Sequence, residues 1–155
     1  MRGRAELRWA RLRGHGDVVT GLLGHEGVDV NQGTTGDGAT ALMCASQTGH
    51  ADVVARLLGR EGVDVNQGTT DHGSTALMLA SQKGHENVVA RLLGHEGVDV
   101  NQGKTTNGFT ALMWASLHGH AGVVTRLLGH EGVDVNQGTT GDGATALMCA
   151  SQNGH

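Results

Sequence analysis

The heptapeptide Gly-Val-Asp-Val-Asn-Gln-Gly begins at Gly27, Gly62, Gly97 and Gly132, each 35 residues after the last. Self-similarity at a fixed period of about 20 to 50 residues marks a solenoid, in which each unit buries its apolar face only against its neighbours. The rest of the unit keeps the same period. Thr-Ala-Leu-Met recurs at Thr40, Thr75, Thr110 and Thr145, Ala-Ser at Ala45, Ala80, Ala115 and Ala150, and Gly-His at Gly49, Gly84, Gly119 and Gly154. A further Gly-His stands in register at Gly14-His15. It belongs to a divergent unit in which the segment Ala5 to Arg13 lacks Thr-Ala-Leu-Met, whereas Val18-Val19 and Leu22-Leu23 keep the second half of the pattern. The expected organisation is one repeat domain over 1–155: a divergent unit at about 1–35, complete units at about 36–70, 71–105 and 106–140, and a truncated unit at 141–155.

Composition agrees with thin repeated layers. The chain has 27 Gly, one Phe, no Tyr and no Pro, so no large aromatic core is available, and its Val, Leu, Ala and Met occur in short runs. No stretch of 18 or more apolar residues exists, and the Arg-rich start lacks the apolar stretch of a signal peptide, so an intracellular, cytoplasmic protein is expected. The net charge of -4 conceals an asymmetry: residues 1–13 carry +4 and the remainder -8. That acidic body disfavours nucleic acid as a partner, and the Arg cluster reads most simply as a solvated end cap.

The second complete unit shows how the pattern folds. Thr75 is placed to cap a short helix through Lys83, with Leu77, Met78 and Ala80 inward and Gly84 ending it. A second helix from Glu86 to about Gly94 puts Val88, Val89, Leu92 and Leu93 on one stripe and leaves Arg91 outside. Both are too short to stand alone, since isolated helices need about 12 to 15 residues. The glycine-rich connection between units carries Asp37-Gly38, His72-Gly73, Asn107-Gly108 or Asp142-Gly143 and predicts a projecting hairpin. Within it, the Val-Asp-Val alternation turns Val to the core and Asp to water.

The run Gly-x-Thr-Ala-Leu-Met-x-Ala-Ser-x-x-Gly-His-x-x-Val-Val-x-x-Leu-Leu, followed by Gly-Val-Asp-Val-Asn, resembles the ankyrin repeat over about residues 5 to 155. The resemblance implies an all-α solenoid of stacked helix pairs with projecting hairpin loops, and a hydrogen-bonding role between helices for the histidines that close the first helices. Two departures are visible. The usual Thr-Pro-Leu-His is Thr-Ala-Leu-Met, and the period is 35 where the family has about 33; the additional residues fall in loops.

Three apparent chemical motifs fail on geometry. Gly103-Lys104-Thr105 ends like a phosphate-binding loop, but such a loop needs glycine where Val98 stands, a preceding strand and a following helix. His25-Glu26, His95-Glu96 and His130-Glu131 begin like the zinc-protease motif. Their fifth residue is Asp29, Asp99 or Asp134, and an intervening glycine prevents one rigid helix from presenting two ligands. These three form one column and the five histidines that close the first helices another, and regular columns about 10 Å apart cannot converge on one ion; only His118 and His120 share a turn. Cys44 and Cys149, three units apart, are separated by roughly 25 to 30 Å, well past disulfide reach. No catalytic residues, no cofactor and no metal site are therefore expected.

The ankyrin resemblance implies a non-catalytic module that binds a protein partner through a concave face of hairpin tips and first helices, with no nucleic acid, membrane or small-molecule substrate. Carried onto this chain, the variable positions of that face are Asp37, Ala39, Gln47, Thr48, Asp71, His72, Ser74, Gln82, Lys83, Thr106, Asn107, Phe109, Leu117 and His118. Asp71, His72, Ser74, Lys83, Asn107, Phe109, Leu117 and His118 are the expected partner contacts. The unit at 106–140 is singled out because an exposed Phe109 and Leu117 would form an apolar patch, with Trp114 half in the core. Two alternatives remain: a targeting or regulatory segment of a larger multidomain enzyme, and a repeat expansion without a partner, which the identity of Gly36 to Gln47 with Gly141 to Gln152 favours.

Overall fold

The computed structural model describes residues 16–155. The Arg cluster, Trp9 and Gly14-His15 lie outside the described residues. Among those described there are eight short α-helices and no strand: α1 Gly16–Leu23, α2 Ala41–Thr48, α3 Ala51–Leu58, α4 Ala76–Lys83, α5 Glu86–Leu93, α6 Ala111–Leu117, α7 Ala121–Leu128 and α8 Ala146–Gln152. They alternate as first and second helices of successive units. First helices stack in one layer (α2, α4, α6, α8) and second helices in another (α1, α3, α5, α7). The chain is thus an all-α solenoid of stacked helix pairs.

Each first helix starts because threonine caps it. Thr40, Thr75, Thr110 and Thr145 are extended, and each hydroxyl accepts the backbone N–H of the methionine three residues on, satisfying one of the donors that a helix start leaves open. The methionines at 43 and 113 return the contact, their Sδ accepting the Thr40 and Thr110 N–H at 3.5 Å. Side-chain reciprocity of this kind is the capping-box arrangement, and it supports a helix start in which no proline fixes the first turn. Helices α2 and α4 end at a glycine where φ turns positive, Gly49 (81°) and Gly84 (74°), as left-handed C-caps require.

Packing follows from size. Ala45, Ala80 and Ala115 are wholly buried and let first helices approach, while Met43, Met78 and Met113 fill the layer beside them. Val53, Val54, Leu57, Val88, Val89, Leu92, Val123 and Leu127 form the inner stripe of the second helices. A layer is closed only by its successor: Leu42, Leu77 and Leu112 are buried, whereas their equivalent Leu147 is 75% exposed. Cys44 and Cys149 are both buried. Burial, followed by the Asp142 charge, pushes the Cys149 thiol above its ordinary pKa.

Two side-chain columns stitch the units. Asn31, Asn66 and Asn101 each donate Nδ2–H to the carbonyl of Gly62, Gly97 and Gly132 in the next unit at 2.7 to 2.8 Å. Each also accepts through Oδ1 the N–H of Asp64, Asp99 or Asp134 at 2.8 Å. In the second column, His85 and His120 donate Nε2–H to the Gln47 and Gln82 carbonyls of the preceding unit at 3.1 and 3.0 Å. Their rings lie against Gly49 and Gly84, where a Cβ would approach within 2.9 and 2.7 Å. The Val-Asp-Val segments are loop and turn, not strand. Val65 and Val100 are nonetheless buried and the Asp residues exposed.

Candidate interaction face

The turns that precede the first helices form a continuous row. Within each, a backbone bond closes the turn, as from Thr69 N–H to Ser74 O at 3.1 Å. Between them, Thr70 N–H donates to Asp37 O, Thr105 N–H to His72 O and Thr140 N–H to Asn107 O, at 2.8 to 3.0 Å. Bonding in sequence fixes the spacing of the turns, so side chains at their tips are held in register with the helices behind them.

Along that row the polar chemistry changes at one place. The Thr34 hydroxyl bonds the Asp37 carboxylate, and Thr139 Oγ1 donates to Asp142 Oδ1 at 2.5 Å. In the unit at 71–105 the acid is Asp71, which is tied to Thr69. These Thr69 and Thr139 bonds, the largest influences on their partners, hold the Asp71 and Asp142 carboxyls below the usual range. In the turn that leads into the unit at 106–140 the threonine position is Lys104 and the acid position is Asn107. Asn107 Oδ1 accepts the Phe109 N–H at 3.1 Å.

Rings gather at that same unit. Phe109 and Trp114 meet with centroids 4.9 Å apart and planes tilted by 60°. Trp114 stacks on His118 at 5.7 Å, and His118 on His120 at 5.9 Å with planes 7° from parallel. Lys104 Nζ lies 5.5 Å from the Trp114 centroid, within cation–π range. His118 Nδ1–H donates to the Trp114 carbonyl at 3.0 Å, which fixes the ring on the end of α6. Backbone and ring contacts together make a preformed aromatic shelf.

The expected contact residues fall in three settings. Asp71, His72, Lys83, Asn107 and His118 are exposed. Asp71 and His72 pair with one another, Nε2 lying 3.6 Å from Oδ2, and His72 N–H bonds Asp71 Oδ1 at 2.7 Å. Ser74 is half-buried, its N–H held by Thr69 Oγ1 at 3.0 Å. Phe109 and Leu117, expected as an exposed patch, are instead half-buried and packed against the core. The reason is Trp114, which offers Phe109 an aromatic surface that Cys44, Leu79 and Cys149 cannot offer in the other units. Sequence reasoning missed Lys104 and Trp114 as members of this group. The available signal was that Thr→Lys, Asp→Asn, a new Phe and a new Trp all occur within residues 104–114.

Among the described residues no group of three or more His, Cys, Asp or Glu is arranged to hold a metal ion, and no helix is long and apolar enough to cross a membrane. A shallow groove of about 350 Å³ is lined by Gly49, Gly84 and residues His85 to Val88.

With helix pairs, caps and stitching columns in place, the family model for ankyrin repeats (3 copies) matches residues 7–104 and 96–155. The chain belongs to the ankyrin repeat family. Ankyrin repeats are generally protein–protein interaction modules, and the fold is typically non-catalytic. No curated protein matches the chain.

Proposed function

We propose that this chain is a non-catalytic interaction module that binds a protein partner through the concave face built from its turns and first helices, with the unit at 106–140 contributing the dominant contacts. The observation that carries the reading is the aromatic shelf of Phe109, Trp114 and His118 beside exposed Asn107. Aromatic side chains held in place before binding lose little entropy on association and are enriched among residues that dominate interface energy. Asp71, His72, Ser74, Lys83 and Leu117 extend the face around it.

The test separates binding from folding. Because Phe109 and Leu117 are half-buried, truncating them also loosens packing, so the informative variants are Phe109→Leu, which keeps apolar volume, and His118→Ala, which removes an exposed ring. Each is expected to weaken partner affinity by about 1 to 3 kcal/mol. Thermal stability should change little. Unaltered affinity in the double variant would refute the assignment of the hot spot.

A further inference from the structure

The row of turns carries a charge pattern that deepens the reading above and rests on it. Carboxylates stand at Asp37, Asp71 and Asp142, in the units before and after 106–140, while the turn and first helix around that unit's start present Lys104, Phe109 and Trp114 instead. The substitutions are coordinated. Where threonine is lost, the carboxylate it would hold is lost too, and the lysine that replaces it is laid over Trp114. The result is an aromatic site bracketed by acids rather than a uniform acidic ridge.

We infer that this face binds an extended basic segment of a partner protein, with an aromatic or large aliphatic side chain seated on Phe109 and Trp114 and a Lys or Arg on either side opposite Asp71 and Asp142. Three observations argue for this occupant. Asp71 and Asp142 are exposed yet positioned by hydrogen bonds from threonine, and these bonds keep them ionised. Residues 16–155 carry a net -8, so the field of the whole body attracts a cation. A single-stranded nucleic acid, whose bases stack on such rings, meets repulsion between its phosphates and that same charge. Geometry sets the spacing of the segment. Asp71 and Asp142 are two units apart, about 20 Å at the usual helix-packing distance, which an extended chain covers in about six residues. The basic side chains are therefore about six residues apart, with the apolar anchor near the middle.

The experiment uses the full chain and fluorescence anisotropy with four labelled probes: a lysine-bearing peptide of this spacing with a central Trp, the same peptide with Glu for Lys, the same with Ser for Trp, and an oligouridine. The first is expected to bind at least about tenfold more tightly than the second and third, and to weaken steeply with salt. Asp71→Asn with Asp142→Asn, nearly isosteric and solvent-exposed, should weaken it about five- to tenfold and flatten the salt dependence. Equal binding of the Glu peptide or the oligouridine, no saturable binding of the first peptide, or indifference to the paired Asn substitution would overturn the inference. Failure of the underlying reading looks different. In that case Phe109→Leu and His118→Ala leave partner affinity intact, whereas an error in partner chemistry alone leaves those variants impaired and abolishes only the discrimination among probes.

Discussion

Removing the Asn66 side chain isolates what holds one unit to the next. Its amide donates to Gly97 O at 2.7 Å and accepts from Asp99 N–H at 2.8 Å, and both partners belong to the following unit. A net intramolecular hydrogen bond contributes about 0.5 to 1.5 kcal/mol, so two give about 1 to 3 kcal/mol. Asn66 is half-buried, which lets water partly re-solvate the orphaned groups and moves the expectation for Asn66→Ala toward about 1 to 2 kcal/mol. With a urea dependence of about 1 to 3 kcal/mol per molar, the midpoint should fall by roughly 0.5 to 1 M. Asn136 is the internal control. It occupies the same place in its loop, and its backbone N–H makes the same bond to Asp134 Oδ1 at 3.0 Å. Among the described residues no counterpart of the Gly97–Asp99 loop follows it to receive its amide, so Asn136→Ala should stay within about 0.5 kcal/mol. Repeat arrays can depart from two-state unfolding. Hydrogen exchange at residues 97–100 should therefore accompany the denaturation curves and show selective acceleration in Asn66→Ala. Equal losses in the two variants would refute the idea that the asparagine column acts between units.

Burial makes a parallel prediction: Leu92→Ala, at a wholly buried site, should cost about 2 to 5 kcal/mol, while Leu147→Ala, at a site 75% exposed, should be nearly neutral by the same thermal denaturation measurement. Gly84→Ala combines a φ of 74° with a Cβ placed 2.7 Å from the His120 ring, so it should destabilise by about 2 to 4 kcal/mol. Gly97→Ala, with φ 83° and nothing nearby, should show only the backbone cost of about 1 to 2 kcal/mol, and a reversed order would remove the His–Gly contact from the account. The Thr139 bond lowers the Asp142 pKa from 3.8, so its carbon NMR titration should have a midpoint below 3.8 that rises in Thr139→Val. The sign follows from the depressed folded value: the stabilisation is complete above the unfolded pKa and is lost as pH falls through the folded one.

Helix limits were the most legible part of this chain, because their signals are local. Thr75 and Gly84 bound α4, and Val88, Val89 and Leu92 form the buried stripe of α5, as period and capping chemistry predict. The asparagine column was not legible from those rules. Its bonds join residues 31 and 33 positions apart and exist only once units stack, so the sole sequence signal was recurrence of Asn at one place in a glycine-rich loop. Phe109 illustrates the same limit. A residue after Asn-Gly at a turn tip reads as exposed, and only the neighbouring Trp114 ring explains why it is half-buried. Lys104 fails as part of a phosphate loop for the reasons its context gives, but its place over Trp114 depends on a turn-to-helix contact that linear spacing does not encode.

The most direct test of the interaction face is residue-resolved: titrate the isotope-labelled chain with a partner that it captures and follow backbone and side-chain NMR shifts. Perturbations concentrated at 71–74, 82–83, 104–109 and 114–118, strongest at the Trp114 indole and the His118 ring, are the predicted outcome. Perturbations concentrated instead on the outer surfaces of α3, α5 and α7, around exposed Arg56, Arg91 and Arg126, with the Trp114 and His118 signals unmoved, would contradict it.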